Sequence, residues 1–354
     1  IARLQRKLPN PSERAHMVDK GGIIGCGKIF PRHLQAIKAN ANYQLVSICD
    51  NDKTSLDKAQ SISRAKPFTD YKKMIKEADV NFIVIATPNS LHFEQAVYCL
   101  NNGCDILIEK PATLNPNMID VIIKEAKQNN QKAYCVLQVR LNSCIQNLKY
   151  LIDNQIIGNV RGISLVQRWQ RPVEYFHDWR GVPSIGGGIL HECGIHYLDI
   201  LCYLLGKPKV VSSKKYNTKH KNTPIEDTIY SIVDYGDFGG SIEVNISSEP
   251  SNLECSLSIL TDKGYLKLGG KAMNVLEKIS FADHDVELKV QRIMDYNNSI
   301  GTPNSYGSYS GSCPNHPTLY KKINEFDLQK TKDVLLLIQE IYDCCNVRYS
   351  KEKK

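Results

Sequence analysis

The stretch Lys20-Gly-Gly-Ile-Ile-Gly-Cys-Gly-Lys-Ile-Phe-Pro-Arg-His33 runs from a short apolar strand through the turn Gly25-Cys26-Gly27 into a helical pattern marked by Leu34, Ala36 and Ile37. Strand, glycine turn and helix in that order suit a dinucleotide pyrophosphate. The first glycine makes the tight turn, the second lets the backbone approach the phosphates, and the helix start offers N–H groups and positive potential. Lys28 and Ile29 follow the turn, and the third fingerprint position, usually Gly or Ala, is Phe30. Further on, the apolar run Gln44–Cys49 ends in Asp50-Asn51. An acid at that strand end accepts hydrogen bonds from the adenosine ribose hydroxyls and repels a 2′-phosphate, so Asp50 favours NAD over NADP. The same Asp-Asn-Asp run is also good turn chemistry.

Working outward, helix and strand alternate. Thr54–Ile62 and Tyr71–Ala78 read as helical, and Asn81–Ala86 is a β-branched run of the kind buried in a parallel sheet, ending at Thr87-Pro88-Asn89. A helix over Leu91–Leu100 carries His92, and the strand Cys104–Ile108 runs into Glu109-Lys110-Pro111. Asn115 caps a helix through Lys127, and Lys132–Gln138 is the closing strand. Six strands alternating with helices make a doubly wound α/β sheet, a Rossmann domain over residues 17–140, with ligands at the carboxyl ends of the strands. Gly25, Asp50, Thr87, Lys110 and Gln138 all fall at such ends.

Past Arg140 the pattern changes. A linking helix, Asn142–Asp153, precedes a strand over Val160–Arg168, a Pro/Trp/Gly-rich loop to Gly188 and a strongly apolar helix, Leu190–Leu205. Strands over Val210–Tyr216, Thr228–Tyr235, Gly240–Ile246, Cys255–Leu260 and Tyr265–Leu268 then read as a mostly antiparallel sheet, giving an α+β second domain over residues 141–330. Asn297–Asn315 reads as a long loop, and Thr331–Cys345 as a helix within a C-terminal segment, 331–354.

A chain of 354 residues suits two domains, and 42% hydrophobic with 23% charged residues is a soluble composition. No apolar run approaches the ~18 residues of a membrane span, and no signal-peptide core is visible. The 12 cysteines show no paired metal spacing, so a reduced, cytoplasmic protein without a metal site is expected. His16-Met17 matches a common cloning junction, and residues 1–16 are expected to be vector-derived and are set aside. They carry Arg3, Arg6, Lys7 and Arg14 against Glu13, which lowers the net charge from +8 to about +5. The remaining bases are dispersed and not interleaved with aromatics, which argues against a nucleic-acid partner.

The helix from Leu190 carries the candidate chemistry. Glu192 and His196 are four apart and would share a helical face. A carboxylate there would orient the imidazole, which would take a proton from an alcohol while hydride leaves the same carbon. Lys110 is a second proton acceptor, or a charge that stabilises a developing alkoxide. A buried core histidine and a surface lysine in a turn are the bland alternatives. The run Gly186-Gly187-Gly188 before the helix favours function, because it permits close backbone approach by a ligand.

Gly25-x-Gly27, Thr87-Pro88-Asn89-Ser90-Leu91-His92, Glu109-Lys110-Pro111 and Gly186-Gly-Gly-x-x-x-Glu192-x-Gly194-x-His196-x-x-Asp199 together resemble the glucose–fructose oxidoreductase / inositol dehydrogenase (Gfo/Idh/MocA) family. The resemblance implies a Rossmann domain, an open-faced sheet domain that makes homodimers or homotetramers, and NAD(P)-dependent oxidation of a sugar or cyclitol hydroxyl by Lys110 and His196. It departs from the family at Glu192, where the family has Asp. Pro31-Arg32-His33, Gln138-x-Arg140, Trp179-Arg180-Gly181 and Tyr306-Gly-x-Tyr309-x-Gly311-Ser312-x-x-Asn315-His316-x-x-x-Tyr320 are similar to the branch acting on UDP-N-acetylglucosaminuronate. That similarity implies oxidation of the C3 hydroxyl of a UDP-sugar, with a 2-oxo acid reoxidising NADH. It further implies cofactor contacts by Gly25, Gly27, Lys28, Ile29, Asp50, Asn51, Thr87, Pro88, Asn89, His92, Glu109, Lys110, Gln138, Trp179 and Arg180. Substrate contacts would come from Lys110, Arg140, Asn142, His196, Tyr309, Ser312, His316 and Tyr320. A relative acting on another sugar or cyclitol, and a non-catalytic NAD-binding regulator on the same fold, are the other readings.

Overall fold

A computed structural model describes residues 18–295, 305–306, 309–310 and 313–346. The set-aside residues 1–16 and the candidate Ser312 lie outside the described residues, and Tyr309 is described by its backbone alone. The chain divides into two compact units. The first runs to Val136 and takes in His316–Thr331; the second holds Leu137–Asn315 and continues from Lys332. The boundary thus falls just before the expected Arg140, and 316–331, read from sequence as second-domain chain, belongs with the first unit.

In the first unit, β1 (Asp19–Ile24), α1 (Phe30–Lys38), β2 (Tyr43–Cys49), α2 (Lys53–Ser63), β3 (Lys66–Phe68), α3 (Tyr71–Glu77), β4 (Phe82–Ile85), α4 (His92–Asn101), β5 (Asp105–Ile108), α5 (Pro116–Gln128) and β6 (Ala133–Cys135) follow in turn. The six strands are parallel in the order β3-β2-β1-β4-β5-β6, the doubly wound arrangement expected. β3 is three residues long and contains Pro67 on the sheet edge, too short to show a period in the sequence. Side chains cap three of the helices: Asp52 accepts from the Ser55 N–H, Asp70 from Lys72 and Asn115 from Asn117. Phe30 is buried where the fingerprint has its third glycine, so the start of α1 packs an aromatic ring into the core. The segment 316–331 is anchored by buried Leu319, Phe326 and Leu328, with Tyr320 against the rings of Tyr43 and Phe82.

The second unit is built on a seven-stranded sheet of β7 (Val160–Arg168), β8 (Lys209–Tyr216), β9 (Thr228–Asp234), β10 (Gly239–Asn245), β11 (Glu254–Thr261), β12 (Gly264–Gly269) and β13 (Val275–Phe281). Their order is β13-β12-β11-β7-β10-β9-β8, antiparallel except for the β7–β10 pair. Alternation assigns the faces: in β9, Ile229, Ser231 and Val233 are buried while Tyr230 and Ile232 are exposed. Helices α6 (Ser143–Asp153) and α7 (Ile195–Leu205) precede and follow the Trp/Gly-rich loop, and α8 (His284–Asp295) follows β13. The terminal α9 (Lys332–Asn346) packs on β8 and α7 within this unit. The sequence reading missed β13 and α8; in Val275–Phe281 the adjacent pairs Val275-Leu276 and Glu277-Lys278 break the period of two, and only Phe281 is buried. Among the described residues no helix is long and apolar enough to cross a membrane.

Candidate functional site

In the first unit the glycine turn has the shape its sequence demands. Gly25 adopts φ +98°, a conformation that favours glycine, and donates its N–H to the Cys49 carbonyl at 2.8 Å. A Cβ at Gly25 would stand 2.3 Å from the Ala86 carbonyl oxygen, whereas nothing lies within 4 Å of one at Gly27. The second glycine therefore presents bare, exposed backbone just before α1, which is what a pyrophosphate needs. Asp50, at the end of β2, accepts the Cys26 N–H at 2.7 Å and the Asp52 N–H at 2.8 Å. One carboxylate thus fixes the turn and keeps lone pairs for ribose hydroxyls. These residues fit a dinucleotide.

The loops after β4 and β5 are tied together. Both ring nitrogens of His92 are engaged, Nδ1 with the Pro111 carbonyl at 2.8 Å and Nε2 with that of Thr87 at 2.9 Å. Buried between them, His92 ties the two loops together. The Thr87 hydroxyl donates to the Gln95 amide oxygen at 2.7 Å. Glu109 is also directed inward: Oε1 lies 2.9 Å from His33 Nε2 and 3.6 Å from His316 Nε2, and Oε2 accepts the Lys110 N–H at 3.2 Å. Tyr320 pairs with His33 Nδ1 at 2.9 Å. His316 and Tyr320 are therefore buried beside Glu109 within the first unit. Lys110 itself is half-buried at the carboxyl end of β5.

In the second unit, residues Leu190–Gly194 form a π-helical turn that passes into α7, where a single α-helix was expected. Such turns recur at functional sites. The i, i+4 face argued for Glu192 and His196 assumed α-geometry, and the partners Glu192 makes here come from the preceding loop. It accepts from the Tyr175 hydroxyl at 3.4 Å and lies 3.6 Å from Arg180 Nε. Arg180 also pairs with Asp178 and stacks over Trp179 and Tyr175. His196 is buried on the first turn of α7.

The start of this helical segment is held by two residues that sequence reasoning missed. The Glu226 carboxylate accepts the Ile189 N–H at 3.0 Å and the Tyr342 hydroxyl at 2.7 Å, and Tyr342 in turn accepts the Leu190 N–H at 3.1 Å. A carboxylate at a helix N-terminus satisfies orphan donors and complements the dipole. Gly188, at φ +96°, would place a Cβ 2.4 Å from that tyrosine hydroxyl, so the glycine run serves the cap. No spacing in the sequence links positions 188, 226 and 342.

Arg140, Asn142 and Gln138 are all buried in the second unit. Arg140 forms a buried bidentate pair with Asp199, at 2.7 and 2.5 Å, and stacks over Tyr203. Its charge is paired with that of Asp199. Burial raises the Asp199 carboxyl and Arg140 draws it back. Arg140→Ala is therefore expected to cost about 3–5 kcal/mol in denaturant unfolding by stranding a buried acid, with much of it recovered in Arg140→Met/Asp199→Leu. A variant as stable as the parent but weak for substrate would restore the carboxylate-binding role. The Asn142 amide donates to the Ala272 and Met273 carbonyls and accepts from Asn315 at 2.8 Å; Asn315 also donates to the Gln138 carbonyl at 3.2 Å.

Comparison with known proteins agrees with this geometry in both units. Residues 20–137 match the profile of the oxidoreductase family with an NAD-binding Rossmann fold (GFO_IDH_MocA), and residues 145–267 match the GFO/IDH/MocA C-terminal domain. The chain belongs to the Gfo/Idh/MocA family. It is an NAD-binding oxidoreductase. Among solved structures it resembles the WlbA dehydrogenase of Bordetella pertussis, in complex with NADH and UDP-GlcNAcA, at 27% identity and TM-score 0.84 over 93% of this chain and 96% of that one. The WlbA dehydrogenase of Chromobacterium violaceum shares the fold at 24% identity and TM-score 0.81, over 92% and 93% of the two chains. Among curated relatives, glucose-6-phosphate 3-dehydrogenase of Bacillus subtilis is 25% identical over 67% of this chain and 68% of its own length. Oxidoreductase P35 of Formosa agariphila is 28% identical over 58% and 66%, so these matches span about two thirds of the relatives' length.

Proposed function

We propose that the protein oxidises a secondary hydroxyl, at C3, of a UDP-N-acetyl hexuronic acid to the 3-keto sugar. The observation that carries this reading is the near-complete likeness, TM-score 0.84, to a dehydrogenase solved with NADH and UDP-GlcNAcA. Lys110 and His196, both retained, support it. NAD, held by Gly25, Gly27, Asp50 and the Thr87 loop, supplies the hydride acceptor when bound. Of the chain's own groups, one of His196 and Lys110 takes the hydroxyl proton and the other steadies the developing oxyanion. Glu192, bound to Tyr175 and Arg180, fixes the turn ahead of His196 and orders Arg180. Asp50→Ala is expected to weaken NAD and to narrow the preference over NADP, read by titrating both cofactors; an unchanged ratio removes the ribose contact.

A second reading, oxidation of the same carbon on a sugar lacking the nucleotide, is favoured by the names of two relatives, glucose-6-phosphate 3-dehydrogenase and D-glucoside 3-dehydrogenase of Escherichia coli. A single-turnover trace at the NADH absorbance band separates the two. The protein with NAD is mixed with UDP-N-acetylglucosaminuronate, with UDP-N-acetylglucosamine lacking the carboxylate, or with glucose 6-phosphate, and then with 2-oxoglutarate. A rise with the uronate alone, reversed by the oxo acid, supports the nucleotide-sugar reading and the recycling of NADH. A rise with glucose 6-phosphate alone moves the assignment to the second.

A further inference from the structure

The segment 316–331 carries more into the first unit than docking requires. Leu319, Phe326 and Leu328 supply a buried apolar anchor, yet His316 and Tyr320 are buried with them and face polar groups. Burying polar side chains is costly unless each is hydrogen-bonded, and neither ring nitrogen of His316 makes a hydrogen bond among the described residues, its closest polar contact being Glu109. Here they complete a chain of contacts. The Tyr320 hydroxyl meets His33 Nδ1 at 2.9 Å, His33 Nε2 meets Glu109 Oε1 at 2.9 Å, and His316 Nε2 stands 3.6 Å from the same oxygen. Glu109 Oε2 then accepts the backbone N–H of Lys110 at 3.2 Å.

We infer that His316 and Tyr320 are positioning residues for Lys110, acting through His33 and Glu109. His33 bonds the carboxylate at 2.9 Å and the polar edge of His316 stands 3.6 Å from the same oxygen, so the other oxygen sets the peptide plane from which the lysine side chain departs. Outer-shell groups that orient a carboxylate in this way govern the reacting group it supports. The titration directions agree. Burial alone would raise the Glu109 carboxyl, but His316 and His33 outweigh it and hold it well below the usual range; burial lowers the His316 imidazole against the pull of Glu109. The three donors His33, Glu109 and His316 lie within 4.8 Å of one another, close enough to consider a cation. His33 and Glu109 stand 2.9 Å apart, the distance of a direct hydrogen bond.

The inference rests on Lys110 as a reacting residue, and its test therefore includes a readout independent of turnover. Tyr320→Phe, His316→Leu and His316→Gln are made in the full chain, the last retaining a donor toward Glu109. Hydrogen exchange of the Lys110 amide, followed by NMR, is expected to quicken about tenfold in Tyr320→Phe and His316→Leu and to stay near the parent rate in His316→Gln, with Leu107 and Ile108 unchanged. In the same variants kcat falls about tenfold while KM for NAD holds, the size usual for outer-shell losses. Unchanged Lys110 protection in both disruptive variants overturns the inference, as does equal behaviour of the Leu and Gln variants. One equivalent of tightly bound metal in the purified protein also overturns it. A quickened Lys110 amide in a protein that oxidises no sugar supports the positioning chain and removes the proposed reaction instead.

Discussion

Lys110→Ala and His196→Ala are each expected to lower turnover by about 10²–10⁴-fold, the usual contribution of a positioned acid–base group, while NADH binds almost as tightly as to the parent. The expectation depends on what each side chain leaves behind. Lys110 contributes its backbone N–H, not its side chain, to Glu109, so truncation to Ala keeps the His33–Glu109 network. His196 lies in the first turn of α7, just beyond the π-helical turn whose entry is held by Glu226 and Tyr342, and the helix does not need the imidazole to start. Loss of activity in a protein that still folds and binds NADH is then a loss of chemistry. If both groups serve one proton transfer, the double variant should lose little more than the worse single one. Stopped-flow oxidation of the sugar, paired with calorimetric titration of NADH, makes the comparison. Near-normal turnover in both single variants would remove the assignment of these residues as the reacting pair.

How much of this could be read from sequence depends on how local each signal is. The glycine turn, Asp50 and the buried runs Phe82–Ile85 and Asp105–Ile108 are contiguous stretches with their own chemistry, and the sheet follows from them in the expected order. Six of the seven strands in the second unit's large sheet were also legible, because alternation of the kind seen along β9 and β10 is imposed by one buried face. What escaped is non-local. Arg140 reads as a free cation until Asp199, on a different helix, is seen to take both of its N–H arms. His316 and Tyr320 look like loop residues near a substrate until the chain is followed back into the first unit. Glu226 and Tyr342 carry no motif at all, and only the fold brings them to the Ile189 and Leu190 amides. The π-turn is likewise invisible to an i, i+4 count, which presumes the α-geometry it replaces.

Gly25→Ala should have the largest effect on the fold and the cofactor together. The residue sits at φ +98°, where an L side chain costs about 1–3 kcal/mol before any contact is counted. Its Cβ would then lie 2.3 Å from the Ala86 oxygen, 2.5 Å from the carbonyl carbon and 3.0 Å from the Thr87 nitrogen, all backbone. Those atoms cannot yield separately, because Ala86 donates to the Ile24 carbonyl at 2.7 Å and Ile24 pairs with Ile85 across the sheet. Relief requires β1 to part from β4 where the turn begins. A loss of about 3 kcal/mol or more in unfolding free energy is expected, with NADH binding lost alongside it. Gly27→Ala is the control that separates fold from ligand. Nothing lies within 4 Å of its added methyl, so the protein should unfold as the parent does, yet the methyl occupies the exposed face kept for phosphate, and NADH affinity should fall. Parent-like stability of Gly25→Ala would contradict the strain at this turn, and parent-like NADH binding by Gly27→Ala would move the pyrophosphate away from the second glycine. The two glycines stand one residue apart and look alike in sequence, but one is required by its neighbours and the other by what it leaves empty.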